Sequence, residues 1–129
     1  METLDALRTL GQSMWLDYLG RDILATGRFE EMLRGGITGV TSNPTIFQKA
    51  ISGSALYDEQ LKGLVREGLK DEEELFQALV LEDIALAAEL LRPVHLETNG
   101  TDGFVSLEVS PALAYDAEAT VREAQRPWG

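Results

Sequence analysis

Three short apolar or β-branched runs, each set between helical stretches, constrain this chain more than any other feature. They are Ser13-Met14-Trp15-Leu16-Asp17, Ile37-Thr38-Gly39-Val40-Thr41 and Phe104-Val105-Ser106-Leu107-Glu108-Val109. Strands that alternate with helices pair in parallel, because the helix is the crossover that returns the chain to the same end of the sheet. The pattern therefore predicts an α/β fold. Three strands leave two unpaired edges, which invite association. The chain accordingly reads as part of a larger α/β structure, with self-association through an open edge as an expectation for the chain alone.

The intervening segments carry helical signals. Leu4, Leu7 and Leu10 predict a short amphipathic helix over 3–10. A second runs over 21–33, with a break near Gly27 and a stop at Gly35-Gly36. Asn43-Pro44 marks the end of the second strand and the start of a helix, since the residue before proline is extended and proline suits a helix's first turn. Ser52-Gly53-Ser54 breaks that helix, and a new one covers 55–67 with Tyr57, Leu61, Leu64 and Val65 as its buried stripe. A long helix starts at Asp71, with acids in its first turn and Phe76, Leu79, Val80, Ile84, Ala87, Ala88 and Leu91 on its apolar face. Pro93 is expected to end it. Pro111 is expected to close the third strand, and a last helix covers 116–126 before Pro127.

Composition narrows the function classes. The 129 residues are too few for two ordinary domains, and 1–129 is taken as the amino-terminal part of a single larger one. The net charge of −11 is uneven: residues 1–70 carry 9 acids and 8 bases, residues 71–129 carry 13 acids and 3 bases. Such a surface repels a phosphodiester backbone, so no nucleic-acid partner is expected. The acidic surface otherwise reads as a solvated, solubilising face. There is no cysteine, which excludes disulfide frameworks, thiolate zinc sites and thiol nucleophiles. The acidic start, Met1-Glu2-Thr3-Leu4-Asp5, is unlike a secretory signal, and no apolar run approaches the ~20 residues of a membrane helix. A soluble, cytoplasmic protein without a membrane partner is the expectation.

Alternation along the strands places polar residues together. Phe104, Ser106 and Glu108 share one face of the third strand, Gly39, Thr41 and Asn43 one face of the second, and Trp15 and Asp17 one face of the first. Each strand thus ends on a polar residue: Asp17, Asn43 and Glu108. The carboxyl ends of parallel strands are where such folds hold their active sites. Two carboxylates and an amide there suit acid–base work on a hydroxylated substrate. On spacing alone, they equally suit turn caps and solvated strand ends.

The same segments resemble a known family. Gly11-Gln12-Ser13-Met14-Trp15-Leu16-Asp17 resembles the first strand of transaldolases. Gly39-Val40-Thr41-Ser42-Asn43-Pro44-Thr45-Ile46-Phe47 resembles their second strand and following helix. Ser52-Gly53-Ser54 with Tyr57-Asp58 resembles the next loop, and Gly103-Phe104-Val105-Ser106-Leu107-Glu108-Val109-Ser110-Pro111 the third strand. The likeness runs in order over nearly the whole chain.

The resemblance implies the first three βα units of a TIM (β/α)8 barrel of the Schiff-base aldolase type. It implies transfer of a dihydroxyacetone unit between sugar phosphates in the pentose phosphate pathway: sedoheptulose 7-phosphate and glyceraldehyde 3-phosphate give erythrose 4-phosphate and fructose 6-phosphate. A lysine amine forms the iminium that serves as electron sink, without cofactor or metal. Carried over by position, Asp17 is the general acid–base at the cleaved bond and Glu108 assists proton transfer through a water. Asn43 hydrogen-bonds the dihydroxyacetone part. Thr41 and Ser106 line the pocket and place the carboxylates.

One component of that chemistry is missing. The family's lysine lies on the fourth strand, whereas the lysines here, Lys49, Lys62 and Lys70, fall on helices or an acidic connection. A full barrel needs about 250 residues. The chain alone is therefore expected to be inactive, a truncated product. The alternatives are a non-catalytic module that binds through its sheet edge, or the front part of a fusion enzyme. The tail Arg126-Pro127-Trp128-Gly129 departs from the family, in which the helix continues. His95, the single histidine, reads as a surface or partly packed imidazole in a helix exit. Trp15 reads as packing or as a pocket wall. Asn99-Gly100-Thr101 matches a glycosylation sequon that lacks a signal peptide to make it meaningful.

Overall fold

A computed structural model describes residues 2–108 and 116–125. The elements in chain order are α1 (Glu2–Thr9), β1 (Met14–Leu16), α2 (Arg21–Leu24), α3 (Arg28–Arg34), β2 (Ile37–Ser42), α4 (Pro44–Ser52), a 3-10 turn (Ala55–Tyr57), α5 (Asp58–Arg66), α6 (Glu72–Glu97), β3 (Phe104–Leu107) and α7 (Ala117–Gln125). The three strands form one sheet in the order β1-β2-β3. Both pairings are parallel, as the helical crossovers require.

Local signals explain most boundaries. Gly27 adopts φ +80, a left-handed conformation that splits α2 from α3 where a single helix would otherwise run. Asn43 caps α4: it is extended, its side chain accepts from the Ile46 amide at 2.9 Å, and Pro44 fills the first turn. Asp71 caps α6 and Asp116 caps α7 in the same way, accepting from the amides of Glu74 and Ala119.

The core lies on one face of the sheet. Val40 belongs to one buried cluster with Leu19 and Ile23 of the β1–α2 region, Phe29 of α3, Phe47 of α4, and Val80, Ala87 and Leu91 of α6. Phe29 and Phe47 are fully buried, and each contributes roughly 1.5–3 kcal/mol relative to exposure. Among the described residues the other face carries no such buried cluster, and Phe104 there is 44% exposed. The open three-stranded sheet, helices on its outer face, is the arrangement of the first βα units of a barrel.

Four expectations need correction. Pro93 does not end α6, which continues to Glu97. Pro93 and Glu89 are both exposed, so the carbonyl that loses its partner meets water, while Val94 packs on the core beyond it. His95 consequently lies inside the helix. Val65 is half exposed and Ala88 is exposed, so neither belongs to a buried stripe. A carboxylate, Asp83, is instead fully buried on the inner face of α6. The expected strand end at Val109, the closure at Pro111, and the helix stop at Pro127 with Trp128 beyond it lie outside the described residues.

Candidate functional site

The strand register builds the site. Trp15, Gly39 and Phe104 stand side by side across the sheet, because Trp15 pairs with Gly39 and Gly39 with Phe104. One step further toward the carboxyl ends, Thr41 pairs with Ser106, and the Thr41 hydroxyl donates to Asp17 Oδ1 at 2.7 Å. Asp17, Thr41 and Ser106 therefore form a polar row above an aromatic one, on the sheet face opposite the buried core. Asn43 and Glu108 follow at the next step.

Close contacts fix the strands around this row. Gly39 is required by Trp15: a Cβ there would sit 2.3 Å from the indole Cε2. Trp15 lies flat over that backbone, and its Nε1–H donates to Asp102 at 3.0 Å. The buried Ser42 hydroxyl donates to the Ser106 carbonyl at 3.0 Å, and the Glu108 amide donates to the Ser42 carbonyl at 3.2 Å. These two bonds prolong the β2–β3 pairing and place Glu108 at the end of β3. Asn43 spends its side-chain oxygen on the α4 cap, which turns its amide NH2 into the end available to another group.

The structure thus brings Asp17 and Thr41 into direct contact, sets Ser106 beside Thr41, and puts Asn43 and Glu108 at the adjoining strand ends. Asp17 and Glu108 are exposed, and Asn43 is half-buried. Lys49, Lys62 and Lys70 are exposed on α4, on α5 and before α6, away from this row. Among the described residues, no group of three or more His, Cys, Asp or Glu side chains is arranged to hold a metal ion. No helix of the described residues is long and apolar enough to cross a membrane.

Two polar clusters escaped the reading of the sequence. Arg21 Nε donates to Asp83 Oδ1 at 2.9 Å, Tyr57 Oη donates to Asp83 Oδ2, and the Arg21 amide donates to Tyr57 Oη at 2.7 Å. The guanidinium also lies over the Tyr57 ring, 4.2 Å from its centre. Burial pushes the Asp83 carboxyl above its ordinary range, against the pull of Tyr57 and Arg21. Burial and the bond to Asp83 raise the Tyr57 hydroxyl as well. The available signal was a carboxylate four residues after Leu79 and four before Ala87, on an otherwise apolar stripe.

The second cluster sits at the opposite end of the strands. Asp102 accepts from Ser13 Oγ at 2.5 Å, from Trp15 Nε1 and from the Gly103 amide at 3.0 Å. Burial would raise its pKa, but these donors outweigh burial and hold it below the usual carboxylate value. His95 Nδ1 meets the Asp102 carbonyl at 3.0 Å, and its ring stands edge-on to Phe104. His95 is thus a packing residue that ties α6 to the start of β3.

Comparison with known proteins identifies the family. Residues 14–129 match the transaldolase/fructose-6-phosphate aldolase family model. The chain is 50% identical over 120 residues to a transaldolase of Thiobacillus denitrificans, covering 92% of this chain and 33% of that protein. It is 46% identical over 121 residues to transaldolase 2 of Nostoc punctiforme, covering 93% and 32%. It is 44% identical over 126 residues to a transaldolase of Neisseria gonorrhoeae, covering 98% and 36%. The chain spans about a third of the length of these curated relatives. With the strand order, the polar row and these matches together, the chain belongs to the transaldolase/fructose-6-phosphate aldolase family.

Proposed function

We propose that this chain supplies the acid–base half of a transaldolase site, and that the complete enzyme transfers a dihydroxyacetone unit between sugar phosphates. The observation that carries the reading is the contact of Thr41 with Asp17 in a polar row at the carboxyl ends of parallel strands. A carboxylate fixed by a neighbouring hydroxyl is suited to take the proton of a substrate hydroxyl as the adjacent carbon–carbon bond breaks, and to return it in the reverse direction. Glu108, exposed at the end of β3, can relay protons through a water while an amine adds to a ketone. The Asn43 amide can donate to a polyol oxygen. Thr41 and Ser106 line the floor and orient the carboxylates.

The iminium chemistry needs a lysine with a lowered pKa, close to these groups. The exposed positions of Lys49, Lys62 and Lys70 support the view that the lysine comes from outside these residues and that the chain alone is inactive. Joining residues 1–129 to the downstream two-thirds of the Thiobacillus denitrificans transaldolase tests the reading. The joined enzyme is expected to convert fructose 6-phosphate and erythrose 4-phosphate. The chain alone is expected to show no turnover and no covalent adduct after borohydride reduction with fructose 6-phosphate. A soluble, folded but inert joined protein would overturn the assignment, and an adduct on Lys49, Lys62 or Lys70 would overturn the claim of inactivity.

A second reading rests on the sheet edges. β1 and β3 each pair on one side within the described residues. A strand with unpaired amides and carbonyls can accept another strand. Under that reading the chain acts as a non-catalytic module that self-associates, and light scattering at micromolar concentration would show dimers or larger species. A sharp monomer would count against it. Pathway placement in pentose phosphate metabolism and a cytoplasmic setting follow from the transaldolase reading.

A further inference from the structure

The Arg21–Tyr57–Asp83 network has no part in the chemistry proposed above, yet it desolvates two charges. Asp83 is 0% exposed and the Arg21 side chain 11%. Buried ion pairs are often no more stable than apolar packing of the same volume, so burial alone is a weak reason for this one. Its bonds converge on a single residue. Tyr57 Oη takes the backbone N–H of Arg21, the first residue of α2, and the Arg21 side chain returns to Asp83 while covering the Tyr57 ring. Arg21 is thus held by backbone and side chain at once.

The connection 17–20 ends at Arg21 and begins at Asp17. Within it, Leu19 is buried in the core, and the Tyr18 hydroxyl donates to Asp22 at 2.6 Å across Gly20. A Cβ on Gly20 would lie 2.5 Å from the Asp22 carboxylate and 2.7 Å from Tyr18 Oη. The connection is therefore closed tightly over its own backbone and pinned at both ends. Pinning removes the alternative backbone states a short loop would otherwise sample.

We propose that Tyr57 and Asp83 are positioning residues for Asp17: by anchoring the start of α2, they make the 17–20 connection deliver the Asp17 carboxylate to Thr41 at the strand ends. The functional meaning rests on the transaldolase reading of Asp17. The placement itself can be measured without turnover.

The experiment is side-chain NMR on the 129-residue chain with Tyr57→Phe, which removes only the hydroxyl. The Arg21 amide is expected to exchange about tenfold faster, the factor one lost hydrogen bond sets. The χ1 couplings of Asp17 and Thr41 are expected to pass from a single rotamer to an average, while Phe47 and Leu91 keep their signals. Val80→Ala, a cavity in the same helix layer, is expected to lower stability and leave the Asp17 couplings as they are. A single Asp17 rotamer in Tyr57→Phe, or equal averaging in Val80→Ala, would overturn the proposal. Asp83→Asn is read in the same way should Tyr57→Phe not fold. In the unsubstituted chain the Arg21 amide must be protected as well as that of Val40, and exchange as fast as an exposed turn would overturn the proposal without any variant. Failure of the transaldolase reading shows separately, as an inert joined enzyme in which Asp17 is still ordered.

Discussion

Two polar clusters share residues 17–21 and are built in opposite ways. Asp17 meets Thr41 on the open face of the sheet, in water, through one hydrogen bond. Arg21 enters the helical layer and meets Tyr57 and Asp83 out of water through two hydrogen bonds, and a third joins Tyr57 to Asp83. The first cluster can be altered without leaving any buried group unpaired. The second cannot. On the proposed reading, the difference separates the groups that do chemistry from the groups that hold them in place, and it sets the order of the expected effects.

The largest effect belongs to the buried cluster. Asp83→Ala strands the Arg21 guanidinium, and urea unfolding is expected to show a loss of about 3–5 kcal/mol. Replacing both partners with Arg21→Met and Asp83→Leu is expected to recover part of that stability, because neither charge is then buried while the Tyr57 hydroxyl still loses its acceptor. Recovery of stability without recovery of Asp17 order would separate framing from positioning. Gly39→Ala comes next: the added Cβ collides with Trp15, and the cost is expected at about 1–3 kcal/mol, with a shift of the Trp15 indole N–H resonance as that ring leaves Asp102.

A smaller effect is gated by acid. The folded-state pKa of Asp102 lies below its unfolded value. Its contribution is therefore fully present above about pH 4 and is lost as pH falls through the folded value. Asp102→Asn is expected to flatten that part of the stability profile, measured by unfolding midpoints between pH 5 and about pH 2. Least of all, Asp17→Asn is expected to change stability by no more than about 0.5 kcal/mol, as at an ordinary exposed position.

The two clusters were also unequally legible. The open-face row follows from alternation and chain order: once Gly39, Thr41 and Asn43 share a face, parallel pairing brings Asp17 and Ser106 beside Thr41. Asn43-Pro44 and Gly27 likewise act through their own backbone geometry, which is a local property. The buried cluster joins residues 21, 57 and 83, and no local rule connects an arginine after one strand to a carboxylate in a helix far along the chain. Asp83 on an apolar stripe was the visible trace. Pro93 misled because a proline ends a helix only when the lost bond matters. Here the freed carbonyl faces water, and Val94 and His95 are held by tertiary contacts beyond it.

The central claim is that Asp17 does chemistry and the network behind it holds Asp17 in place. The most direct measurement is the turnover of fructose 6-phosphate and erythrose 4-phosphate by the joined enzyme carrying Asp17→Asn, taken beside its thermal midpoint. A fall in kcat of about 100-fold or more with an unchanged midpoint is the predicted result, the scale of a lost acid–base group. Turnover within twofold of the unsubstituted enzyme would contradict the account.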